Sequence, residues 1–128
     1  MNELEIAIKH AISAEGSSKE ANKAYLEFIK ANFIIPIEKN SANGNPEVLY
    51  LEDDGRVFLP VFTAMNYFDD WAKEIREDIQ LLYLTGVNLL KGVGEHVIVS
   101  LNIGSPLYKE FNSAELARMR SMVLKLFK

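Results

Sequence analysis

Cysteine is absent from this sequence. Its absence removes disulfides, thiolate nucleophiles and cysteine-ligated zinc or iron–sulfur centres in one step, and it is consistent with a reducing compartment. Also missing is any continuous apolar run approaching the roughly 20 residues that span a bilayer. At the N-terminus, Glu3, Glu5 and Lys9 break up what would have to be the apolar core of a secretory signal. These absences predict a soluble cytoplasmic protein with no leader. Basic charge is in short supply as well: 14 lysines and arginines face 18 aspartates and glutamates, for a net charge of −4. Nucleic-acid binders usually draw most of their affinity from phosphate neutralisation by a basic stripe. The nearest approach here is Arg118, Arg120, Lys125 and Lys128, which read as a solvated helix face with cations near a C-terminus. Neither nucleic acid nor a membrane is an expected partner.

Catalytic constellations are equally scarce. His10 and His96 have no Asp or His partner at metal or triad spacing, and no serine stands in a nucleophile-elbow context. Asp53 and Asp54 fall at a turn, where carboxylates serve turn chemistry, and no further ligands at defined spacing accompany them. The "GVGE" stretch, Gly92 to Glu95, is too short to cradle a phosphate. No metal, no cofactor and no catalytic residue is expected.

What the sequence does contain is an ordinary globular composition, 128 residues that are 48% hydrophobic and 25% charged. That is the size of a single domain able to bury its own core. Leu4, Ile8, Ala11 and Ile12 recur at helical spacing up to a stop at Gly16. Ser17 with Glu20 then forms a capping box for a second helix, whose apolar face carries Ala21, Ala24, Tyr25, Phe28 and Ile29. "NFIIPIE", Asn32 to Glu38, reads as a strand, with Pro36 arguing for a sheet edge or bulge. Lys39 to Pro46 has loop composition. Two β-like runs, 47–52 and 57–62, flank Asp54-Gly55 as a hairpin.

Further on, a helix after Thr63 places Met65, Phe68, Ala72 and Ile75 on one face, with Tyr67 and Trp71 four apart beside it. Asp78 to Leu84 reads as a strand, "TGVNLLKGVGE" as one or two helical turns, and His96 to Asn102 as a strand buried on both faces. A last helix opens near an Asn112–Glu115 capping box and carries Leu116, Met119, Val123 and Phe127 as its stripe. The order predicts an α/β (α+β) domain: a mixed, roughly five-stranded sheet with an N-terminal hairpin portion, a β-α-β-α-β crossover portion and packed helices.

Three stretches carry a family likeness. They are "YLEFIKANFIIPI", "DDGRVFLPVFTAMNYFDDW" and "GEHVIVSLNIGSPLYKEFNSAELARM". In order and spacing they resemble the N-terminal domain family of SseB, named for enhanced serine sensitivity. The aromatic helix leading to a proline-containing strand is matched from Phe28 to Pro36, and the "lpvFTs" junction by Leu59, Pro60, Val61, Phe62 and Thr63. The "NPGS…kef…eel" segment is matched by Asn102, Gly104, Ser105, Lys109, Glu110, Phe111 and Glu115. Ala64 stands where the family pattern has serine, and Ile103 where it has proline. The likeness runs from about Leu4 to Met122. It implies an α/β or α+β domain in a bacterial cytosol, with no established enzyme activity. The second, C-terminal domain of larger members has no room here, so residues 1–128 are expected to form one domain.

Two functional readings follow. If strands 57–62, 79–84 and 96–101 lie parallel, Thr63, Thr85, Gly86, Asn102, Gly104 and Ser105 converge at one sheet edge, where open α/β sheets bind ligands and loop N–H groups favour an anion. Each of these residues is also explained by caps and turns, Thr63 as the N-cap of the following helix. The second reading is a protein-interaction or regulatory module. Tyr50, Phe58, Tyr67, Trp71, Tyr83 and Tyr108 exceed what a small core needs to hide, and Tyr67 and Trp71 are the interaction candidates. A protein partner or a second copy, as a homodimer, is the partner expected.

Overall fold

The computed structural model describes residues 3–13, 18–38 and 48–126. The Gly16 stop, the Ser17 capping box, the Lys39–Pro46 loop and Phe127 lie outside the described residues. Two helices, α1 (Glu3–Ser13) and α2 (Ser18–Lys30), lead into strand β1 (Asn32–Glu38). Then follow β2 (Leu51–Asp53), β3 (Arg56–Val61), helix α3 (Met65–Ala72), a 3-10 turn (Arg76–Asp78) and β4 (Ile79–Thr85). Helix α4 (Gly86–Gly92), β5 (Val97–Leu101), β6 (Lys109–Phe111) and helix α5 (Ser113–Leu126) complete the chain. The fold is mixed α/β.

Two local signals are realised where the sequence places them. Asp54 and Gly55 both take positive φ, 52° and 77°, and close the antiparallel β2–β3 hairpin. Asn112 and Glu115 exchange the two bonds of a capping box: the Glu115 N–H donates to Asn112 Oδ1 at 2.9 Å, and the Asn112 N–H to Glu115 Oε1 at 3.2 Å. Glu115 also accepts the Tyr25 hydroxyl at 2.8 Å, tying α5 to α2. Burial, and then that bond, push the Tyr25 phenol up to about 12.

Strand pairing departs from expectation. β3 and β5 are parallel neighbours, but β4 is not beside them; it runs antiparallel to β1, with Asn32 opposite Thr85 and Glu38 opposite Ile79. The strands therefore divide into a β1–β4 pair and a β2-β3-β5-β6 sheet. Ile34 and Phe62 join the two by exchanging backbone bonds of 2.9 Å in each direction. The physical reason lies in β4, where only Ile79 is buried and the residues after it are half-buried or exposed, as suits an outer strand and not the centre of a parallel sheet. Pro36 accordingly does not mark an edge: β1 has β4 on one side and bridges to Phe62 and Val48 on the other.

The sheets separate two apolar clusters. Leu4 and Ile8 of α1, Phe28 of α2, Leu90 of α4 and Leu116 of α5 pack with Phe33, Val61, Val99 and Phe111 in the larger. Ile34, Phe62, Phe68, Ala72 and Ile79 form the smaller, under α3, with Tyr67, Trp71 and Ile103 at its margin. The alternation of Phe33 and Ile35 against Ile34 is the two-residue period of a strand covered on both faces. Ile75 does not join this face: α3 ends at Ala72, and Ile75 is exposed beyond it. Nor is Arg120 a solvated cation. It is half-buried and donates to the Leu90 and Val93 carbonyls, both at 2.9 Å, at the C-terminal end of α4.

Candidate functional site

At the C-terminal ends of β3 and β5, the structure assembles a buried polar cluster. Asn102 is fully buried and left-handed, with φ 53°. Its Oδ1 accepts the Thr63 backbone N–H at 3.0 Å, which fixes the amide orientation and turns Nδ2 toward Thr63 Oγ1, also at 3.0 Å. Because that oxygen accepts from Asn102, its single proton is directed to Glu5 Oε2, 2.8 Å away. Glu5, only 5% exposed, therefore reaches from α1 across the sheet edge. Tyr67 bonds the same carboxylate, and its phenol is raised by burial first and by the Glu5 charge and bond second. The hydroxyl of Thr63 is held as donor and acceptor at once. That joins α1, the β3–α3 junction and the turn after β5 into one unit, an arrangement suited to locking position.

Thr63 is thus not the helix cap. The N-cap of α3 is Ala64, extended at φ −153° and ψ 154°, and no side chain there accepts a bond from the first helical turn. Ala64→Ser supplies the missing acceptor in a backbone already shaped for it. The variant is expected to gain about 1 kcal/mol, read as a higher urea midpoint with an unchanged slope.

Beside the cluster lies a cavity of about 180 Å³. One wall is α3, which presents Tyr67, Asp70 and Trp71 at i, i+3 and i+4; the other is the turn containing Ile103, Gly104 and Ser105, with Pro106 following. The turn is closed by the Ser105 N–H donating to the Asn102 carbonyl at 3.1 Å, with Gly104 at φ 83°. Ser105 Oγ accepts the Leu107 N–H at 3.1 Å. Trp71 is held from behind by Phe62 and Phe68, at ring separations of 5.4 and 6.3 Å. The two interaction candidates and the Gly104–Ser105 turn, separate in the sequence argument, therefore form a single cleft.

Thr85 and Gly86 are not part of it. Thr85 pairs with Asn32 on the side of β1 away from Phe62, and its hydroxyl accepts the Asn88 N–H at 3.2 Å as the cap of α4. Gly86 is buried against the end of α2. Of the remaining aromatic candidates, Phe58 is buried, while Tyr50, Tyr83 and Tyr108 are exposed elsewhere. Glu5 is the residue sequence reasoning missed. A signal existed: it lies three residues before Ile8 and seven before Ile12, on the apolar stripe of α1, where a lone carboxylate needs buried partners.

The sequence matches the SseB protein N-terminal domain family over residues 7–118. The chain belongs to this family. Thr63, Tyr67, Trp71 and the 102–106 turn all lie inside the matched span, and Glu5 stands two residues before it. Comparison with curated proteins and with solved structures gave no match. Among its described residues, this SseB domain has no helix long and apolar enough to cross a membrane and no group of three or more His, Asp or Glu side chains placed to hold a metal ion.

Proposed function

We propose that this SseB domain is a non-enzymatic protein-interaction or regulatory module, and that its recognition site is the cleft between α3 and the 103–106 turn. The observation that carries the reading is the joining of Tyr67 and Trp71 to that turn around one cavity. Tyrosine and tryptophan at a concave surface are the residues that most often anchor a partner. A cavity of about 180 Å³ is smaller than the several hundred Å³ typical of metabolite sites, so it suits a single inserted side chain. The alternative, a small-ligand or anion site at the sheet edge, is opposed by the chemistry of the lining. Among the described residues no basic side chain borders the cleft, Asp70 does, and the Asn102 and Thr63 groups are engaged with each other and with Glu5.

A photo-cross-linking residue tests this when placed at Asn66, which is exposed and one turn before Asp70 on α3. In cells that naturally make the protein, irradiation is expected to yield a discrete adduct with a second polypeptide from that position. The same residue at exposed Glu52 on β2 should yield none. No adduct from Asn66, or the same adducts from both positions, would rule the reading out. An adduct of twice the chain mass identifies the partner as a second copy.

A further inference from the structure

We infer that the cleft selects a cationic side chain, a lysine ammonium or an arginine guanidinium, on the partner it binds. The inference rests on the interaction reading above and names its ligand chemistry.

Three features of the cleft point to positive charge. First, the lining contains two aromatic rings, Tyr67 and Trp71, and one carboxylate, Asp70, side by side on a single helical face. A ring face attracts a cation through its quadrupole, and a carboxylate beside it supplies the opposite charge. Second, among the described lining residues the one formal charge, that of Asp70, is negative. Asp70 makes no ion pair among the described residues, whereas neighbouring Asp69 is paired with Arg76 at 3.7 Å. The buried Glu5 carboxylate lies behind the Tyr67 hydroxyl it bonds. Third, the chain places its own cations over other rings. Arg56 lies 5.0 Å from the centroid of Phe58, Arg76 5.1 Å from Phe68 and Lys109 5.3 Å from Phe111. Among the described residues, none lies over Tyr67 or Trp71.

Size and rigidity agree. A cavity of roughly 150 Å³ accommodates a benzene molecule, so this cleft has room for the end of one lysine or arginine side chain and little more. The walls are already set: Trp71 by Phe62 and Phe68, Tyr67 by Glu5, and the opposite turn by the Ser105–Asn102 backbone bond. A site fixed before binding spends less on ordering its own groups.

Trp71 is the sole tryptophan of the chain, so its fluorescence reports on the cleft directly. The whole protein is titrated with N-acetyl-lysine methylamide and N-acetyl-arginine methylamide. The norleucine derivative, close in shape but uncharged, and the glutamate derivative serve as comparisons. The expected result is a saturable change with both cations, about five-fold or more tighter than with norleucine, weakening as salt is added and absent with glutamate. Asp70→Asn, at an exposed position, is expected to keep its thermal midpoint and to lose most of the preference for cations. The inference is overturned if norleucine binds as well as lysine, if neither cation gives saturable binding, or if Asp70→Asn leaves the preference intact. Should the cations fail while Asn66 still cross-links a partner, the charge assignment alone is lost; should both fail, the interaction reading goes with it.

Discussion

Gly86→Ala is expected to prevent the domain from folding. Gly86 opens α4, is buried, and donates its N–H to the Ala31 carbonyl at 2.8 Å. A β-carbon there would collide with the backbone oxygen of Phe28 and come within 2.7 Å of the Ile29 oxygen. Both belong to the last turn of α2, so no rotamer change relieves the overlap; α2 and α4 would have to separate. These helices pack on the larger cluster through Phe28, Ile29, Leu89 and Leu90, and separating them opens that core. The cost is therefore placed above about 4 kcal/mol, the range reserved for disrupted cores, against a total stability of roughly 5–15 kcal/mol. Gly92→Ala at the other end of α4 is the matched control. It is exposed with nothing within 4 Å of the added carbon, so it should change stability by less than about 1 kcal/mol. Circular dichroism and urea unfolding of the pair check both statements. A folded, stable Gly86→Ala protein would show that the α2–α4 contact is looser than described.

The second large effect is expected at Asn102. Asn102→Ala removes both amide bonds to Thr63 and leaves the Thr63 N–H without its acceptor at a half-buried site. It also asks alanine to adopt φ 53°. The unsatisfied groups cost about 1–3 kcal/mol and the left-handed alanine about 1–2 kcal/mol more, so a loss of roughly 3–4 kcal/mol is expected. Asn102→Gly separates the two contributions, because glycine accepts the backbone angle but restores no bond. Its loss should be smaller than that of alanine by about 1 kcal/mol. Urea unfolding gives the order wild type, glycine, alanine. Equal losses for the two variants would mean that the backbone angle carries no strain, and negligible losses would mean that the Thr63–Asn102 bonds are not part of what holds the cluster.

Both predictions fall where sequence reasoning stopped short. Gly86 stood among the candidate ligand residues, yet what it meets is the backbone of α2, more than fifty positions earlier in the chain. A hydroxyl before a helix ordinarily caps it, and by that rule Thr63 reads as a cap. In the fold, Glu5 and Asn102 compete for that hydroxyl and win, and the cap position passes to Ala64. The carboxylate of Glu5 gains by leaving water only because Thr63 and Tyr67 meet it with hydrogen-bond donors.

The sequence by itself determined the features whose energetics are settled within a few residues. The Asp54-Gly55 turn adopts the positive φ angles that those residue types tolerate, and the Asn112–Glu115 box closes across one helical turn. Leu4 and Ile8 of α1, Phe28 and Ile29 of α2 and Leu116 and Met119 of α5 face the core because 3.6-residue spacing sets each group on one side of its helix. The family, too, was legible, since its motifs are short and ordered along the chain. Only the tertiary structure decided which strand β4 pairs with, that β1 is flanked on both sides, that Glu5 is buried, and that Tyr67 and Trp71 face the 103–106 turn. Backbone N–H and C=O groups are alike in every residue except proline, so strand pairing is chosen by long-range packing that local pattern does not encode. A polar side chain is likewise buried or exposed according to partners that reach it from distant parts of the chain.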